Sequence, residues 1–184
     1  ETLTDVREKQ VRAILGPVAS PVVATYLETY GYSAASAEDW SQPQSVRRRP
    51  QLSLGTKDGH YEANGHTWYK LQCHLHLCES ISQRWVVDRR LSHLRELLHD
   101  PVKQSLASYE KHFANARFAG RGARSGTTAR LRDWLAALAE CINSGLAPPA
   151  VVALTLRFLE APQLCEDGVP PVATSEDNVS DVDG

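Results

Sequence analysis

Arg84 to Leu98 reads R-W-V-V-D-R-R-L-S-H-L-R-E-L-L, and this stretch decides the fold. Trp85-Val86-Val87 is a short β run, after which Leu91, Leu94, Leu97 and Leu98 recur at helical spacing. The chain therefore passes from a strand into an amphipathic helix, and the corner carries two adjacent arginines, Arg89 and Arg90. Guanidinium groups held between two rigid elements are well placed to grip phosphate through a fork of N–H donors. The same pair would serve equally as solvated charge at a helix start, because exposed arginines are the norm.

Upstream of the corner the pattern is that of a meander. Trp68 to Cys78, W-Y-K-L-Q-C-H-L-H-L-C, alternates. Tyr69, Leu71, Cys73, Leu75 and Leu77 face one way, and Lys70, Gln72, His74, His76 and Cys78 the other, giving a half-buried strand with one wet face. Asn64-Gly65 is a strong hairpin signal; Thr56-Lys57-Asp58-Gly59 supplies a further turn after a short strand at Gln51–Leu54. His74, His76 and Cys78 share the wet face, but tetrahedral zinc needs a fourth ligand and favours paired thiolates. Ordinary polar alternation explains them, so no metal and no cofactor is expected.

Downstream, His99-Asp100-Pro101 reads as a break, and Val102 to Phe113 suits helix or extended chain. The following loop, A-N-A-R-F-A-G-R-G-A-R-S-G-T-T, holds Arg117, Arg121 and Arg124 among three glycines, with Phe118 exposed by its context. Thr127 or Thr128 then caps a helix whose Leu131, Trp134, Leu135, Leu138 and Ile142 form one apolar stripe, and Gly145 closes it. Gly120, Gly122 and Gly126 fit neither the dinucleotide fingerprint nor the Walker spacing. What remains is flexible backbone, arginine and a helix start, a combination that favours an anion. Pro148 to Leu159 gives a last, substantially buried helix.

The N-terminal part reads as a weak helical pattern over residues 5–15, a helix from Ser20-Pro21 that stops at Gly31, and a shorter one through Ala34 to Trp40. Residues 41–50, S-Q-P-Q-S-V-R-R-R-P, look like a polar linker with solvated arginines.

The 184 residues carry a net charge of −2, but unevenly. Arg84 to Arg132 holds eleven Lys or Arg against four Asp or Glu, while Ala161 to Gly184 has six acidic residues and no basic one. A basic middle favours an anionic partner, and the tail, whose composition predicts disorder, repels one. No apolar run approaches the roughly 20 residues of a membrane span, and no secretion signal is evident. The chain lacks an initial Met and is expected to start inside a longer protein. Four cysteines without a C-x-x-C pair suit free thiols in a reducing compartment. No nucleophile or carboxylate pair stands in a catalytic motif, so no enzyme is expected. No nucleic-acid reader motif occurs, so nucleic acid is not an expected partner.

The order of strands, Arg-Arg corner, helix, basic loop and closing helices resembles the phox-homology (PX) domain family. Trp85-Val86-Val87-Asp88-Arg89-Arg90-Leu91-Ser92-His93-Leu94 is similar to the family's W-x-V-x-R-R-[YF]-x-x-F corner. Leu131-Arg132-Asp133-Trp134-Leu135 resembles its L-x-x-[YW]-L helix, and Leu156-Arg157-Phe158-Leu159 its closing Phe-Leu segment. The resemblance implies an α+β fold, a three-stranded antiparallel meander packed against a helical subdomain, with extra N-terminal helices. Residues 1–45 would then be a helical extension, 46–162 the PX-like domain and 163–184 an acidic disordered tail.

The implied function is binding of a phosphoinositide, most often phosphatidylinositol 3-phosphate, by a peripheral module in the cytoplasm. Its setting would be endosomal or other intracellular membranes, in trafficking or signalling. The expected lipid-binding residues are Arg89, Arg90, Leu91, Lys111, Arg121 and Arg124. The resemblance implies Arg90 as the 3-phosphate clamp and Lys111 as stand-in for a missing Pro-Pro-x-x-Lys lysine, and the basic segment adds Arg121 and Arg117 as residues meeting anionic lipid. Leu91 departs from the family, which carries an aromatic ring there. Phe113 and Phe118 are the candidates for membrane insertion or, alternatively, pack on the core. A second reading is a PX-like protein-interaction scaffold without lipid specificity, docking a partner through its N-terminal helices or its basic face.

Overall fold

The computed structural model describes residues 20–34, 40, 42–79, 81–122 and 125–163. The expected helix over residues 5–15, the 35–39 part of the third helix, Arg124 and the acidic tail lie outside them. The fold is α+β: three antiparallel strands in the order β1-β2-β3, with helices against one face. β1 is Gln51–Ala63, β2 is His66–Cys78 and β3 is Ile81–Arg90.

The β1–β2 hairpin turns on Asn64 and Gly65, with φ of 52° and 73°. Positive φ at both central residues is what a type I′ turn requires, and Asn-Gly adopts it most cheaply. The turn expected at Thr56–Gly59 is instead a bulge inside one long strand, where the register with β2 shifts between Thr56 and His60. Tyr69, Leu71, Cys73 and Leu75 of β2 are buried, as the alternation predicts. Burial pushes the Cys73 thiol up to about 12, which makes it inert as a nucleophile.

The helices are α1 (Pro21–Glu28), α2 (Pro43–Arg48), α3 (Leu91–Leu94), α4 (Asp100–Ser105), α5 (Tyr109–His112), α6 (Thr127–Asn143) and α7 (Pro149–Phe158). The stripe of α6 is the centre of the core: Leu131, Trp134, Leu135, Leu138 and Ile142 are all 0% exposed. The helix starts from Gly126, and no threonine side chain caps it. At its other end, Gly145 at φ 79° closes a paired cap, in which Leu146 N–H donates to the Cys141 carbonyl and Gly145 N–H to that of Ile142. α6 packs along β1, and Asn143 brackets the strand by accepting from Leu52 N–H and donating to the Leu52 carbonyl, both at 2.8 Å. That side-chain amide occupies backbone groups an edge strand otherwise leaves open.

Two expectations are corrected. The helix does not break at His99-Asp100-Pro101: α3 widens into a π-helical turn, Arg95–His99, and resumes as α4. Pro101 has no N–H to give, and the wider turn before it relieves the ring's clash with the preceding turn. Residues 42–50 are not a linker either. Pro43–Arg48 is helical, and Arg49 is 4% exposed, its guanidinium 3.7 Å from the Trp40 ring centroid and donating to the Trp40 carbonyl. A planar cation stacks on an indole face where a short basic run looked solvated.

Trp40 Nε1 in turn donates to the Ala147 carbonyl, and Tyr30 Oη to that of Ala161, at 3.0 and 2.8 Å. Val23, Leu27, Tyr30 and Trp40 share one hydrophobic cluster with the sheet and with α6 and α7. The described N-terminal residues are thus built into the core. No helix among the described residues is long and apolar enough to cross a membrane.

Candidate anion-binding pocket

Neighbouring residues of a strand point to opposite sides, and the arginine pair at the end of β3 splays accordingly. Arg89 turns to the end of α7. Its guanidinium donates to the Phe158 carbonyl at 2.6 Å, pairs with Glu160 at 2.9 Å and lies over the Phe158 ring. A cation that satisfies a terminal helix carbonyl is a structural group. Arg90, the residue from which α3 starts, faces a surface cavity of about 600 Å³ instead.

Three cations line that cavity from three different segments: Arg90 at the corner, Arg95 on the π turn and Arg121 on the loop after α5. Glu96 and Asp100 line it as well, as does the half-buried Leu91. His66, from the β1–β2 hairpin tip, completes the rim. Of the residues expected from sequence, Arg90, Leu91 and Arg121 therefore come together. Arg89 does not line the cavity, and Lys111 is an exposed residue of α5 that does not line it either. Arg124 lies outside the described residues.

Arg95 was not anticipated, although a signal existed: it stands one helical turn beyond Leu91 and so shares its face. Its guanidinium donates to the Ala119 carbonyl at 2.6 Å and sits 5.1 Å from the Phe118 ring centroid. Those contacts fasten the 114–122 loop to the helix and fix Arg95 before any ligand arrives.

Beneath Arg95 is an aromatic floor. Phe118 stacks on His99 at 4.2 Å and meets Trp134 edge-on at 5.1 Å. Phe113 stacks on Tyr109 at 4.3 Å, and Trp134 Nε1 donates to Tyr109 Oη at 2.8 Å. Phe113 is 3% exposed, and Phe118 is half-buried. Of the two alternatives for these rings, the structure shows packing on the core, with Phe113 inside it and Phe118 against it. Phe118 looked exposed in a Gly- and Arg-rich loop because its partners come from elements distant in sequence.

His99 is 9% exposed, with Nδ1 2.7 Å from an Asp100 carboxylate oxygen. Burial holds its pKa below the ordinary 6.5, against the opposing pull of Asp100. The unfolded chain therefore takes up a proton that the folded chain refuses. Stability present above pH 6.5 is lost as pH falls toward the lower folded value. Urea denaturation at pH 7.5 and 5.5 is expected to show a larger acid loss for the wild type than for His99→Gln.

On the sheet's wet face, His74 Nε2 lies 2.6 Å from Ser82 Oγ. The described residues contain no group of three or more metal-ligating side chains. No family model, curated protein or solved structure matches this chain, so what the pocket can do follows from its own residues.

Proposed function

We propose that this chain is a phosphoinositide-binding module of phox-homology type that recruits its protein to intracellular membranes, with phosphatidylinositol 3-phosphate as the ligand. The observation that carries the reading is the convergence of Arg90, Arg95 and Arg121 on one cavity. Their three positive charges face two carboxylates, Glu96 and Asp100, leaving a small positive excess. One phosphate monoester, about −1.5 to −2 at neutral pH, fits that balance better than several would. The carboxylates suit the remainder of an inositol ring, because they accept from its hydroxyls while the guanidiniums donate to its phosphate. Leu91 supplies an apolar wall where the family carries a ring. The role proposed is binding, not catalysis.

The test is co-sedimentation with phosphatidylcholine vesicles, with and without phosphatidylinositol 3-phosphate. The wild type is expected to pellet with the phosphoinositide and Arg90→Ala to stay in the supernatant. Equal pelleting of the two proteins would overturn the assignment. Leu91 and the missing Pro-Pro-x-x-Lys loop favour the second reading, a protein-interaction scaffold on the same fold. A stoichiometric partner together with no phosphoinositide dependence would select it.

A further inference from the structure

Resting on the pocket assignment above, we infer that this face meets an anionic lipid leaflet through arginine and polar loops alone, with no side chain inserted into hydrocarbon. Two segments form the relevant rim. One is the hairpin tip, Asn64-Gly65-His66-Thr67, of which His66 and Thr67 line the cavity, and the other is the loop from Ala114 to Gly122, of which Arg121 and Gly122 do. The tip contains no large apolar residue, and the loop contains one, Phe118. Phe118 is committed inward to His99, Trp134 and Arg95. Turning its ring outward would strip the aromatic floor and release the guanidinium that shapes the pocket.

The large hydrophobic residues that are exposed among the described ones are Val22, Ile81, Val86 and Leu146, and none lines the cavity. Ile81 lies at the opposite end of β3 from Arg90, about 30 Å away at strand rise. What the loop does present outward is charge: Arg117 and Arg121 are both exposed. Guanidiniums at a headgroup layer gain from the negative surface potential and lose that gain within a Debye length. The partner that fits is therefore a leaflet rich in acidic phospholipid around the specific headgroup, and the attachment is salt-sensitive.

Four vesicle compositions test this: phosphatidylcholine with or without phosphatidylserine, each with or without phosphatidylinositol 3-phosphate. Some carry brominated acyl chains, with Phe118→Trp as the reporter of insertion at the one large apolar position of the rim. With phosphatidylserine present, raising salt from about 0.1 to 0.5 M is expected to weaken binding by about tenfold or more, without acyl-chain quenching. Arg117→Glu, outside the pocket, is expected to weaken vesicle binding similarly while leaving affinity for the soluble headgroup unchanged. Salt-resistant binding, acyl-chain quenching, an unaffected Arg117→Glu, or no vesicle binding at all would each overturn the inference. The soluble headgroup is titrated separately. Its failure to bind would remove the pocket assignment, while the salt and Arg117→Glu results would still decide the mode of contact.

Discussion

Trp134→Ala is expected to lower stability by about 3–5 kcal/mol, the range for removing a large buried ring. The side chain is 0% exposed and lies within 6 Å of three other rings, His99, Phe113 and Phe118. Its N–H also satisfies the Tyr109 hydroxyl at 2.8 Å. Truncation therefore leaves a cavity and orphans a buried hydroxyl together. The damage extends to the pocket, because Phe118 rests on Trp134 and supports Arg95 from below. Trp134→Phe keeps most of the volume and loses the donor, so it is expected to cost about 1–3 kcal/mol. Urea denaturation checks both, and a loss for Trp134→Ala below that of Trp134→Phe would contradict the packing described.

Arg90→Ala is expected to reduce affinity for the phosphorylated headgroup by about 10- to 100-fold, with little change in stability. Hydrogen bonds to a charged group are worth about 1.5–3 kcal/mol each, and that loss corresponds to this range. Arg89→Ala is expected to do the reverse, lowering stability by releasing the end of α7 and leaving affinity nearly intact. Arg95→Ala is expected to lose affinity like Arg90→Ala and also to loosen the 114–122 loop, since the Ala119 carbonyl loses its donor. Headgroup calorimetry and denaturation on the same three variants separate these outcomes. An affinity loss for Arg89→Ala larger than that for Arg90→Ala would mean that the two arginines have been assigned the wrong way round.

What could be read from the sequence was what local chemistry decides. Alternation from Trp68 to Cys78 gave the buried face of β2, Asn64-Gly65 gave the hairpin, and the Leu131–Ile142 spacing gave the core helix with its glycine cap. Strand parity sends Arg89 and Arg90 to opposite sides, which the reading of the pair as one phosphate grip passed over, while the resemblance selected Arg90 as the clamp. What stayed hidden depends on partners remote in the chain. Arg49 looked solvated because Trp40, nine residues earlier, is what buries it. Phe118 looked exposed because His99 and Trp134 lie on other elements. The π turn was hidden by the rule that proline ends helices, and with it the pocket position of Arg95. The linker expected at 41–50 failed for a similar reason, since its arginines gave no apolar period to follow.

The central claim is that Arg90, Arg95 and Arg121 form one site for a singly phosphorylated inositol headgroup. The most direct measurement is a nitrogen-15 NMR titration of the chain with the soluble headgroup of phosphatidylinositol 3-phosphate. Saturable shifts are predicted at Arg90–Ser92, Arg95–Glu96 and Arg121–Gly122, with the Arg89–Phe158 side of the corner unmoved. Shifts centred on Arg89, Arg157 and Phe158, or no saturable shifts at millimolar headgroup, would contradict it.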